Sequence, residues 1–214
     1  MKILDAHTHN LAASHAVINV TPRQLIDGVA VDDAMLSVGI HPWDTPATDL
    51  NLLDLATRDH RVVAIGETGL DTLRGAPLAV QETVFRHHIA IAEHCGKPLI
   101  IHCVHAIDRL LHIWRDTAPH RSEIIFHGMG RGARVARQLL DEGFWLSYGK
   151  RYNIEAMLMT PDERLLVESD ECSAPINDVI ADVATARGTN VERLTETIIA
   201  NTSRLFGNNH DTRG

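Results

Sequence analysis

Asp5-Ala6-His7-Thr8-His9 sets two histidines one residue apart behind a short apolar lead-in, Ile3-Leu4. In an extended chain alternate side chains share a face, so His7 and His9 point the same way and can grip one cation. With 14 histidines in the chain, such a pair alone is weak evidence for metal, and its weight rests on whether other segments deliver more ligands. Further apolar runs do end on one: Gly39-Ile40-His41-Pro42, Val63-Ala64-Ile65-Gly66-Glu67, Leu99-Ile100-Ile101-His102, Ile124-Ile125-Phe126-His127 and Leu165-Leu166-Val167-Glu168-Ser169-Asp170. Each has a bland explanation by itself. His41 precedes a proline that stops pairing, His102 and His127 suit hydrogen-bonded core histidines, and Asp170 suits a helix N-cap. Glu67 ends a run buried enough that a free carboxylate there is costly without a cation. One shared metal site accounts for all of them together.

Such a mixed nitrogen and oxygen set exceeds what one tetrahedral zinc uses and fits two divalent ions with a bridging carboxylate. A pair of ions brings the pKa of water toward neutrality and polarises the bond under attack. The chemistry expected is therefore metal-assisted hydrolysis, with Asp170 and Glu67 as the catalytic carboxylates and Asp170 taking the proton of the attacking water.

Strands are expected at 2–8, 16–20, 35–40, 62–67, 98–103, 123–127, 144–148 and 164–169, where short apolar runs stand between turn residues. Helix-period stretches fall at 22–28, 50–58, 78–95, 107–116, 134–142, 154–159, 176–187 and 191–206. Gly96, Gly143 and Gly188 punctuate helix ends. Strand–helix alternation of this count predicts an α/β fold, a compact, irregular TIM-like (β/α) barrel. Its active site then belongs at the C-terminal ends of the strands, where the ligands lie. One link conflicts with a regular barrel. A parallel crossover takes about a dozen residues or more, and only a handful separate Asn10 from Ala16. Either the second run is not a regular parallel strand, or the first helix is shortened or missing. A doubly wound open sheet is the alternative, but no glycine-rich dinucleotide turn follows the first strand.

At 214 residues and 44% hydrophobic content the chain is expected to form a single domain, 1–214. A net charge of -8 gives no global attraction to long nucleic acid, though a local basic patch fits within that sum. Cys95, Cys103 and Cys172 are odd in number and lack CxxC spacing, which points to reduced thiols and a cytoplasmic protein. No run approaches membrane-spanning length and no signal-peptide pattern opens the chain. No protein partner is implied.

These residues resemble the TatD-type metal-dependent deoxyribonucleases, members of the amidohydrolase superfamily of metal-bearing barrels. The resemblance lies in Asp5-Ala6-His7-Thr8-His9, Gly39-Ile40-His41-Pro42, Gly66-Glu67-Thr68-Gly69-Leu70-Asp71, Ile101-His102, Phe126-His127-Gly128 and Glu168-Ser169-Asp170, with Gln81 and Phe85 in the helix after the fourth strand. It runs on to Leu205-Phe206-Gly207, and the Gly-Glu-Thr-Gly-Leu-Asp block is its most specific piece. It implies that Glu67 bridges two ions of magnesium, manganese or zinc, that His7, His9 and Asp170 complete one site, and that His102 and His127 serve the other. His41 is then placed beside the substrate or behind the ligands. The implied activity is hydrolysis of phosphodiesters at DNA ends or in short nucleic acid, commonly from a 3′ end.

The chain departs from the family where substrate is held. Val104 stands where members usually carry an arginine, which leaves Arg131 or Arg74 to contact phosphate. The usual Asp-Ala-Pro ending is stretched to Asp170-Glu171-Cys172-Ser173-Ala174-Pro175. Trp43 is a candidate to stack on a base, whereas His87, His88 and His94 are expected at the surface or in packing. Two other functions fit the same ligands: a related hydrolase of an amide, ester or small phosphodiester, and a metal-binding protein without turnover.

Overall fold

The computed structural model describes residues 2–28, 34–45 and 50–207. Eight strands follow one another around a single sheet in chain order: β1 (Asp5–Thr8), β2 (Ala16–Val20), β3 (Met35–Val38), β4 (Val62–Asp71), β5 (Leu99–Val104), β6 (Ile124–Phe126), β7 (Trp145–Tyr148) and β8 (Leu165–Val167). The helices are α1 (Pro22–Ile26), α2 (Leu50–Ala56), α3 (Leu78–Cys95), α4 (Ile107–Asp116), α5 (Ala133–Asp141), α6 (Ile154–Met159), α7 (Ile176–Arg187) and α8 (Val191–Phe206). The pairings β1–β2, β3–β4, β4–β5, β6–β7 and β7–β8 are all parallel, and a bridge between Thr8 and Asp170 sets β1 beside the end of β8. This is the α/β, TIM-like barrel that the alternation predicts. No helix among the described residues is long and apolar enough to cross a membrane.

β2 is a true parallel neighbour of β1, and no helix intervenes. Residues 9–15 make the connection as a loop, with His15 at φ 58 and its carbonyl accepting the N–H groups of Leu4 and Asp5. The short crossover works because β1 is short: a strand of that size rises only about 13 Å, which an extended loop of this size can retrace. The register between Asp5 and Thr8 is irregular, as it also is in the β3–β4 and β4–β5 pairings.

Packing divides the chain into two compact units, Asn19–Ile124 and a second made of Met1–Ile18 with Ile125–Gly214. In Asn19–Ile124 every residue of β4 is buried, the pattern of a parallel strand covered on both faces. α3 lies against it with Phe85, Ile89 and Ala92 buried. Two buried polar residues of α3 hold the strand ends in place. Gln81 accepts the Asp71 N–H at 2.8 Å, and its amide nitrogen faces the carbonyls of Asp71, Arg74 and Ala76 at 2.8–2.9 Å. His88 accepts the Ile40 N–H on Nε2 at 2.9 Å and donates from Nδ1 to the Val84 carbonyl at 2.7 Å. It is thus a core histidine, fully buried. Burial drives its pKa down to about 4, so the ring is neutral.

In the second unit, Phe126, Trp145, Leu146, Tyr148 and Val167 of the strands and Leu139, Ile180, Ile198 and Phe206 of the helices are all buried. The Tyr148 hydroxyl donates to the Ala156 carbonyl, and burial pushes its pKa up to about 12. α8 starts on an Asn190 cap that accepts the Arg193 N–H. From that helix Thr202 donates to the Ile3 carbonyl and Asn201 to the Leu165 carbonyl, which ties both β1 and β8 to the last helix.

Several boundaries differ from expectation by a few residues, and two of them bear on the site. β4 runs on to Asp71 instead of stopping at 67, because the main chain beyond Glu67 keeps pairing with β5 from Thr68 to Asp71. β8 is confined to Leu165–Val167, since a 3-10 turn over Asp162–Arg164 precedes it and Asp170 adopts a left-handed φ of 52°.

Candidate metal centre

In the unit containing the chain's first strand, donor atoms of His7, His127 and Asp170 all lie within 4.8 Å of one another. β1 supplies His7, which is fully buried, the end of β6 supplies His127, and Asp170 follows β8. The His7 and His127 rings are 4.6 Å apart between centroids. His7 Nε2 lies 3.7 Å and His9 Nε2 3.6 Å from Asp170 Oδ1. The Asp170 backbone is clamped between the two histidines of β1: its N–H donates to the His7 carbonyl at 3.0 Å, and its carbonyl accepts the His9 N–H at 3.1 Å. Aspartate tolerates left-handed backbone better than most residues, and that conformation lets one residue end β8 and still bond along β1.

The same seam carries a buried network. Ser169 donates from its hydroxyl to Asp5 Oδ2 at 2.6 Å and from its backbone N–H to Oδ1 at 3.0 Å. Burial raises the Asp5 carboxyl to a pKa of about 6 against the lowering effect of these bonds. Glu168, also buried, accepts the Gly128 N–H at 2.6 Å and lies 3.5 Å from His127 Nδ1. A carboxylate behind a ligating imidazole fixes its tautomer and orientation. No spacing signal marks Glu168 for this role, because it lies past the end of β8 and the left-handed Asp170 breaks the strand alternation.

In Asn19–Ile124, a second triad joins His41, Glu67 and His102, again with donor atoms within 4.8 Å. Glu67 Oε1 lies 2.9 Å from His102 Nδ1 and 3.3 Å from His41 Nε2. His41 therefore stands directly at the Glu67 carboxylate. Asp71 Oδ2 lies 3.5 Å from His102 Nε2 and accepts the indole N–H of Trp43. Burial alone would raise the Asp71 pKa, but the bonds from Trp43 and the Leu73 N–H and the neighbouring His102 hold it below the usual carboxylate range. Trp43 is 42% exposed, 4.6 Å from the His41 ring, with the Arg74 guanidinium 4.4 Å over its own ring.

Glycines let the backbones close up behind these ligands. A Cβ on Gly69, at φ 142, would sit 2.0 Å from the His102 carbonyl oxygen, and one on Gly39 would sit 2.5 Å from that of Glu67. Arg131 is half-buried in the loop between β6 and α5 and belongs to neither triad.

The donor chemistry fits divalent metal. Each triad offers imidazole nitrogens and a carboxylate at one point, the set favoured by zinc, manganese and related ions. Glu168 Oε2 is buried without a hydrogen-bond partner among the described residues, a placement that calls for positive charge nearby.

Comparison with known proteins agrees with this chemistry. A family model described as TatD related DNase matches residues 23–207. An uncharacterized metal-dependent hydrolase of Buchnera aphidicola is 32% identical over 148 residues, which are 64% of this chain and 56% of that relative, so the match spans little more than half of its length. A 3'-5' ssDNA/RNA exonuclease TatD of Klebsiella pneumoniae is 28% identical over 201 residues, covering 80% of this chain and 76% of that one. The crystal structure of YjjV, a TatD homolog from Escherichia coli, superposes with a TM-score of 0.79 at 20% identity over 96% of this chain and 98% of its own, and shares the fold.

Proposed function

Because the chain belongs to the TatD-related DNase family, we propose that it is a metal-dependent phosphodiesterase, a single hydrolase domain that cleaves DNA or short nucleic acid from an end. The observation that carries this reading is the pair of histidine–carboxylate triads, each with its donor atoms within 4.8 Å. The relative named as an exonuclease supports the choice of bond.

His7, His127 and Asp170, with His9 alongside, would hold one ion, and Glu67, His102 and His41 the other. Ions held in this way lower the pKa of water and draw charge from a phosphoryl oxygen. Asp170 is the residue to accept the proton of the attacking water: its side chain is 40% exposed, whereas Glu67 is buried. Glu168 keeps the His127 ring in one orientation, and Asp71 does the same for His102. Trp43 offers an exposed ring for a terminal base, and Arg74 and Arg131 are the cations available to phosphate.

The test is to strip the full chain of metal, add Mg²⁺, Mn²⁺ or Zn²⁺ in turn, and follow end-labelled single-stranded DNA beside the Asp170→Asn variant. Metal-dependent shortening of the strand, lost in the variant, is the expected result. Turnover of a small ester or amide without cleavage of DNA would move the chain to the related hydrolases. A protein that holds no stoichiometric divalent ion would overturn the reading.

A further inference from the structure

The chain ends of β6 and β7 are basic in a protein whose net charge is -8. From His127 to Leu140 the sequence holds Arg131, Arg134 and Arg137 and no carboxylate, and from Gly143 to Ile154 it holds Lys150 and Arg151 and no carboxylate. The loops after the two strands touch. The Met129 N–H donates to the Ser147 carbonyl, and a Cβ on Gly130 would lie 3.7 Å from the Arg151 carbonyl oxygen. The second loop also reaches the His127 side of the metal centre, because a Cβ on Gly149 would lie 3.7 Å from Glu168 Cγ, and Glu168 lies 3.5 Å from His127. Beside Gly149 lies a shallow, open surface cleft of about 570 Å³ lined by Lys150, Arg151, Tyr152 and Asp182. Lys150 and Arg151 are exposed. The acid lining the cleft, Asp182, pairs with Lys150 at 2.6 Å, and both side chains are nearly half exposed. Ion pairs that exposed contribute little and exchange readily for another anion.

We propose that this cleft is a subsite for a backbone phosphate of single-stranded nucleic acid, one step along the strand from the bond held at His7, His127 and Asp170. Lys150 and Arg151 supply the charge, and Asp182 restrains affinity by holding Lys150 until phosphate displaces it. The inference rests on the phosphodiesterase reading for the orientation of the strand, and its test is separable from that reading.

The probe is a fluorescein-labelled oligothymidylate with phosphorothioate linkages, which resist cleavage, titrated with the full chain as purified at several salt concentrations. The double variant K150A/R151A is expected to bind about tenfold more weakly, and the slope of log K against log salt to fall by about 1.4, two single-strand contacts at about 0.7 each. D182N is expected to bind several-fold more tightly. A merely structural role for the Lys150–Asp182 pair predicts weaker binding or none of these changes. Unchanged affinity and slope in the double variant, or a loss of affinity in D182N, would overturn the subsite. In parallel, the wild type is assayed with bis(p-nitrophenyl) phosphate and ordinary oligothymidylate under each metal. A wild type that shows the expected binding pattern but hydrolyses neither compound keeps the phosphate subsite and loses the phosphodiesterase reading. One that hydrolyses both while the variants bind as it does keeps the function and loses the subsite.

Discussion

Asp170 carries three duties at once: it ends β8, bonds through its backbone to His7 and His9, and offers its carboxylate to the same histidines. Asp170→Asn keeps the backbone clamp and removes the negative charge. The variant should retain its far-UV circular dichroism and lose about 10²- to 10⁴-fold in kcat, the scale of a positioned proton acceptor. Gly69→Ala tests the opposite kind of dependence, since no ligand is altered and the new methyl meets the His102 carbonyl. Strain of that kind should cost at least about 2 kcal/mol, visible as a lower urea midpoint together with a weaker affinity for one divalent ion. At this scale the sequence shows the residue types that meet in the two triads, because each follows an apolar run. It does not show that His41 stands 3.3 Å from Glu67 or that Asp71 stands behind His102. Those are consequences of strand register, and alternation fixes faces without fixing depth.

α3 illustrates what a single element contributes. Its bounds match the expected 78–95 because Pro77 precedes it and Gly96, in the left-handed region at φ 63, stops it. Its buried polar residues escape a hydrophobic pattern, which gives His88 no task. In the structure His88 holds the Ile40 N–H, two residues beyond β3 and one before His41. Its depressed pKa also makes the helix sensitive to acid. The unfolded chain takes up a proton near pH 6.5 and the folded chain only near 4, so this stabilisation is complete above pH 6.5 and is lost as pH falls toward 4. The difference amounts to roughly 3 kcal/mol. His88→Gln keeps an acceptor for Ile40 and a donor for Val84 and does not titrate, so a pH series of urea melts should show a flatter fall for the variant between pH 6.5 and 4. The extension of β4 past Glu67 is hidden for a different reason. Thr68 and Gly69 have the composition of a turn, and only pairing with β5 keeps them extended.

At the scale of the whole molecule, the residues proposed to hold metal come from β1, the end of β6 and the turn after β8 and converge only in the folded chain, so metal binding and stability should be coupled. Adding a divalent ion at 100 times its Kd should stabilise the protein by about 2.7 kcal/mol, roughly 5–10 °C in Tm for a chain of this size. Differential scanning calorimetry with and without a chelator measures this, and Asp170→Asn should blunt the shift. The barrel itself is legible from the strand–helix alternation, and the short interval from Asn10 to Ala16 announces the missing helix. What spacing cannot disclose is how the start of the chain is tied to α8, since the Thr202 to Ile3 bond joins residues 199 apart.

That bond also has a meaning in time. β1 leaves the ribosome ahead of β2 to β8, yet its partners across the seam, Ser169 and Asp170, and the helix that anchors Ile3 come more than 160 residues later. At ordinary elongation rates the wait is roughly 10 to 40 s. Throughout it His7 and His9 hang from an uncovered apolar segment. The first ligands to be synthesised are thus among the last to be assembled, and nascent chains halted before α8 should be the form that chaperones hold and proteases cut.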